Sequence, residues 1–190
     1  MRTKISILTL FICFAFFSCK ETKKETINGT NETTEKAHKG QSAVVDEDSE
    51  PNALQVAASL EKFKTLVVAV KAADLENTLV NAGPLTVFAP VNGAFDKLPK
   101  GTVATLLKPE NKSKLSFILK NHVAPANYTV ATLEKNVRKN RKLYMASGEY
   151  LEVSKKEDGL FVGGTKILKS VKVSNGWIHV IGDVLVPSDK

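Results

Sequence analysis

Cysteine is nearly missing from this chain of 190 residues: Cys13 and Cys19 both fall close to its start. No disulfide can therefore staple the rest of the protein, in whatever compartment it resides. Histidine is scarce as well, with only His38, His122 and His179, far apart in sequence. That spacing offers no pair of metal ligands, and no Cys-x-x-Cys occurs. A Gly-x-Ser-x-Gly elbow is absent, and so is a glycine-rich phosphate loop joining a strand to a helix. Nothing supplies a nucleophile with a base, so the chain reads as a non-enzyme with no implied metal or cofactor. No internal repeat is seen, which leaves one copy of whatever domain the chain holds.

What is present is a 43% apolar composition, enough for one real core, and a formal charge of +7 with a pI near 9.3. Such a balance favours anionic partners and surfaces, although a solvated lysine-rich exterior gives the same numbers. The opening residues are basic (Arg2, Lys4), then apolar from Ile5 to Phe17, then Ser18-Cys19. This is the pattern of a signal peptide over residues 1–18, shorter than the ~20 apolar residues of a membrane span. A small residue before a cysteine at the end of an apolar run resembles the bacterial lipoprotein cleavage box, which implies lipid attachment at Cys19. Lys20 rather than an aspartate follows it, which favours the outer membrane within the cell envelope. Residues 19–50 are polar and charged, contain His38, and are expected to form a flexible lipid-anchored tether.

The folded part is expected over residues 51–190. Asn52 is a cap for a first helix, Phe63, Leu66, Val67 and Val70 mark a second, and Asp74 starts a short third. LTVFAPVNGAF (Leu85 to Phe95) is an alternating strand that stops at Pro90, with Asn92 expected to cap the turn after it. Thr102 is expected to cap another short helix, and Pro109 to start one carrying Leu115, Ile118 and Leu119. From Tyr128 onward the pattern is alternation broken by Ser147-Gly148, Asp158-Gly159, Gly163-Gly164 and Asn175-Gly176, which predicts strands and hairpins, the last running from Trp177 to Val186. Helices first and strands later give an α+β class.

Two of these stretches, TVFAPVNGAF (Thr86 to Phe95) and GWIHVIGDVLVP (Gly176 to Pro187), resemble the signature boxes of the fasciclin-like domain, and NHVAPANYT (Asn121 to Thr129) is a weaker third match. The resemblance covers roughly residues 52 to 188. It implies a compact wedge of two small packed β-sheets with several short α-helices, and an extracellular binding module for cell adhesion or attachment to matrix or polysaccharide. Some relatives bind pigments, so a carrier of a small apolar ligand such as a pigment or lipid is the alternative. The family has Tyr-His where this chain has Asn121-His122, and its adhesive members use that neighbourhood in partner contacts, so His122 is a candidate partner-binding residue. The structural reading leads over that one: a residue closing a helix end before a Pro turn satisfies backbone carbonyls.

His179 alternates with Ile178 and Val180, sharing a face with Trp177 and Ile181, and is expected to be a core histidine bonded to backbone. The run VRKNRK supplies Arg138, Lys139, Arg141 and Lys142 at the start of a strand. These are candidates for an anionic polysaccharide, an envelope or matrix protein or lipid headgroups, or else a charged guard on a strand edge. Nucleic acid is not expected, since the leader takes the chain out of the cytoplasm and no stacking aromatics interleave the basic residues.

Overall fold

A continuous apolar strand needs cover on both faces, and β1 (Leu85–Pro90) has it: all six residues are buried. The computed structural model describes residues 50–80 and 83–187. In it β1 pairs in parallel with β8 (Gly176–Ile181), from Leu85 opposite Gly176 to Pro90 opposite Ile181. On its other edge lies the short antiparallel β2 (Val123–Ala124). The remaining strands are β3 (Leu143–Tyr144), β4 (Tyr150–Leu151), β5 (Val153–Lys156), β6 (Gly159–Val162) and β7 (Thr165–Val173). The larger sheet runs β2-β1-β8-β7-β6-β5, and β3 with β4 form a second. A register irregularity between Ile167 and Lys169 lets β7 serve both β6 and β8. The two stretches expected to meet are therefore the centre of the sheet.

Strand alternation divides the core in two. Leu85, Val87, Ala89, Ile178 and Val180 meet helices α1 (Ala53–Ala58), α2 (Lys64–Ala72), α3 (Glu76–Val80) and α6 (Lys112–Lys120) through Ala57, Leu66, Leu79 and Leu115. Phe88 and Ile181 point the other way, onto Leu133, Leu143, Met145 and Val162. The domain is thus an α+β wedge of two packed β-sheets with several short helices, the remaining ones being α4 (Asn92–Asp96), α5 (Thr102–Leu106) and α7 (Val130–Arg138).

Asn52 caps α1 as its position predicts, accepting from the Gln55 N–H at 3.0 Å while Gln55 returns the bond to the Asn52 N–H at 2.9 Å. Five expectations need correction. Asn92 does not cap the turn after β1; its Oδ1 accepts from the Thr65 N–H at 3.1 Å and its Nδ2 donates to the Glu61 carbonyl at 2.8 Å. It closes the start of α2 instead. Thr102 is the first residue of α5, preceded by Gly101 at φ +84°, and Asp74 sits at φ +54° ahead of α3. The stretch after Tyr128 is helical before it is stranded: Thr129 caps α7, accepting from the Thr132 N–H at 3.1 Å. Its β-branched residues suggest a strand, yet Val130, Leu133 and Val137 recur at helical spacing, and burial of Leu133 decides the outcome. Finally, β8 ends at Ile181, not Val186.

Candidate functional site

The basic run lies where α7 gives way to β3. The Lys139 and Arg141 N–H groups both donate to the Asn136 carbonyl, at 3.2 and 2.9 Å, and Asn140 takes the left-handed φ of +50° that reverses the chain. This turn gathers Arg138, Lys139, Arg141 and Lys142 at one corner, all exposed. Lys142 pairs with Glu152 at 3.1 Å. Lys139 and Arg141 have no ion-pair partner among the described residues, while Arg138 lies one turn from Glu134 and its charge helps to lower that carboxyl's pKa. Cations at a helix C-terminus also complement the helix dipole, which gives Arg138 a local reason to be there. Beside the corner, Glu134 bonds Lys155 at 2.9 Å, tying α7 to β5. That hydrogen bond, more than the lysine's charge, holds the Glu134 carboxyl below its ordinary range.

Next along the chain is an arrangement that sequence reading did not single out. Tyr144 and Tyr150 face each other across β3 and β4, with ring centroids 5.4 Å apart and planes inclined at 55°. They are 46% and 62% exposed, while neighbouring Leu143 is fully buried. The alternation of apolar and polar residues on either side of Ser147-Gly148 was the only signal for such a pair.

His122 is not at this corner. It is buried, with Nδ1 2.8 Å from the Ile118 carbonyl and Nε2 accepting from the Leu185 N–H at 2.8 Å. Because Nε2 accepts, Nδ1 carries the proton and the ring is neutral. Burial pushes its pKa down to about 4, against the opposing effect of the Ile118 bond. Asn121, in the position of the family's tyrosine, donates from Nδ2 to the Leu185 carbonyl at 3.0 Å and accepts from the Ser147 hydroxyl at 3.0 Å. The two side chains thus clamp both polar groups of Leu185, fastening the segment after β8 to the end of α6.

His179 is also a core residue, stacked between Phe88 and Trp177 with centroids 5.4 and 6.2 Å away. Its Nε2–H donates to the Tyr128 carbonyl at 2.7 Å, and Nδ1 lies 2.8 Å from the Ser170 hydroxyl. Burial again lowers its pKa. Asp183 bonds Lys97 at 2.6 Å and Thr165 at 2.8 Å, and these two bonds, Lys97 first, lower its carboxyl pKa.

Among the described residues no group of three or more His, Cys, Asp or Glu could hold a metal, and no helix is long and apolar enough to cross a membrane. Two apolar crevices between helices and sheet, lined in part by Val70, Leu119 and His122, have volumes of about 20 and 30 Å³. Each has room for roughly one water molecule. Cys19 and His38 lie outside the described residues.

The model of the fasciclin domain matches residues 61–187. The chain belongs to the fasciclin domain family. A protein of Synechocystis, sll1483, is 46% identical over 160 residues, covering 82% of this chain and 83% of that one. The pig transforming growth factor-beta-induced protein ig-h3 is 36% identical over 127 residues, which are 66% of this chain and 18% of that protein. Among solved structures, a fasciclin domain pair from the insect cell adhesion molecule fasciclin I superposes with a TM-score of 0.65 at 19% identity, over 72% of this chain and 51% of that pair. Fasciclin domains are non-catalytic modules with a general role in adhesion and binding, and that coarse role is this chain's.

Proposed function

We propose that the protein is a lipid-anchored adhesion module of the cell envelope, whose single fasciclin domain attaches to an anionic polysaccharide of the envelope or matrix. Cleavage after residue 18 would leave Cys19 as the acylated first residue, and two or more acyl chains hold a protein to a bilayer stably. Residues 20–50 would then be the tether that carries the domain clear of the headgroups, with the outer membrane as the favoured location. The observation that carries the binding half of this reading is the corner where α7 ends. Lys139 and Arg141 stand exposed and without ion-pair partners among the described residues, with Arg138 and Lys142, also exposed, beside them.

A carrier of a pigment or lipid is the weaker reading. The apolar crevices between helices and sheet are about 20 and 30 Å³, too small for such a ligand, and the larger hollow lined by Leu98, Leu106, Ile118 and Val184, about 410 Å³, is open and partly polar. An envelope or matrix protein remains an alternative partner at the corner. His122 would contribute only through the clamp on Leu185, since both its ring nitrogens are bonded to backbone.

The test is binding of the protein to alginate, a polyuronate, over a range of salt, with the quadruple variant Arg138→Gln, Lys139→Gln, Arg141→Gln and Lys142→Gln alongside. Binding that weakens with salt and is lost in the variant is the expected result. Binding unaffected by both the variant and the salt would overturn the electrostatic reading.

A further inference from the structure

We infer that the Tyr144–Tyr150 pair is the sugar-contacting half of this same surface, so that the partner is recognised by its rings as well as its charge. The inference rests on the polysaccharide reading above. The register sets Tyr144 against Tyr150 and Leu143 against Leu151, and Leu143 faces the core. Alternation then puts Lys142 and Glu152 on the outward face with the two tyrosines. Their 3.1 Å ion pair is the next rung of the ribbon, with both side chains largely in solvent.

This face therefore presents two aromatic planes, a carboxylate and a cation, and the exposed cations of the α7 exit immediately precede it in the chain. Each element matches one part of an acidic sugar chain. The C–H face of a pyranose is apolar and covers an aromatic ring, and tyrosine presents a large contact area with few rotamers to freeze. Phenol hydroxyls and the acceptor-only Glu152 suit sugar hydroxyls, while Arg138, Lys139 and Arg141 suit carboxylates or sulfates. Single-stranded nucleic acid also combines rings with charge and is the competing ligand for this face. The 55° inclination of the rings leaves no parallel slot for a base. An anionic bilayer would also take cations and rings, since tyrosine settles at headgroup level, but it has no use for a carboxylate such as Glu152 among them.

The test uses the full chain with four probes: alginate, polyphosphate, a single-stranded oligothymidylate and neutral dextran. The variant Tyr144→Val with Tyr150→Val keeps β-propensity and removes both rings. It should bind alginate about tenfold more weakly than the parent, with the same salt dependence and unchanged affinity for polyphosphate. The quadruple glutamine variant should instead flatten the salt dependence. If alginate binding is salt-dependent and charge-dependent yet indifferent to the tyrosines, the electrostatic reading stands and this inference falls. A preference for oligothymidylate over alginate also overturns it, and an absence of all polyanion binding sinks both. Should the valine variant not fold, ring-proton NMR of the parent decides: shifts of Tyr144 and Tyr150 on adding alginate are expected, and their absence contradicts the proposal.

Discussion

His122 shows how far one residue's setting can redirect its chemistry. A ring that accepts from the Leu185 N–H cannot take a proton at Nε2 without losing that bond, and burial already disfavours the cation. Its pKa in the fold, about 4, lies below the ordinary value of 6.5, so the unfolded chain binds more protons between those values. The stability it contributes is fully present above pH 6.5 and is lost as the pH falls toward 4. The whole effect is on the order of 3 kcal/mol at most. His179, lowered in the same direction, adds to the slope, whereas Asp183 and Glu134 act only at lower pH, as their carboxylates protonate. Urea unfolding from pH 7.5 to 4.5 should show this decline, and His122→Gln should be less stable at pH 7.5 but flatter with pH. An equal slope in the variant would remove His122 from the account. Asn92→Ala should cost about 1–2 kcal/mol at any pH, because it leaves the Thr65 N–H at the start of α2 without its acceptor.

Among the elements, the parallel pairing of β1 with β8 is the one on which both halves of the core depend. Gly176 makes it possible: its φ is +147°, and a Cβ there would lie 1.8 Å from the Leu85 carbonyl oxygen. Gly176→Ala should therefore abolish cooperative thermal unfolding or lower the midpoint severely, whereas Gly93→Ala, with open space around it, should fold normally. These two strands were legible in the sequence because Pro90 and Asn175-Gly176 punctuate apolar runs that need cover on both faces. The helix α7 was not, since Thr129, Val130, Thr132 and Val137 are β-branched and only burial of Leu133 and a capping bond decide for a helix. The role of Asn92 was hidden for another reason: its partners are Thr65 and Glu61, distant in sequence. The basic cluster could be read directly from VRKNRK. The adjoining tyrosine platform could not, because which face of β3 meets water depends on pairing with β4.

At the scale of the whole molecule, a charge of +7 is spread over an exterior where ion pairs such as Lys97–Asp183 and Lys166–Asp158 are solvent-exposed and contribute little to stability. Its consequence is for association with anionic surfaces. Replacing Cys19 by Ser should move the protein from the membrane to the soluble fraction and end its labelling with palmitate; continued membrane retention would contradict lipid attachment. The most direct test of the whole account is retention of vesicles bearing the acylated protein on an alginate-coated surface under flow. Retention that falls with salt, and that the quadruple glutamine variant abolishes, is the result predicted for an anchored adhesion module. Undiminished retention by that variant would contradict the central claim that the α7 exit is the adhesive surface.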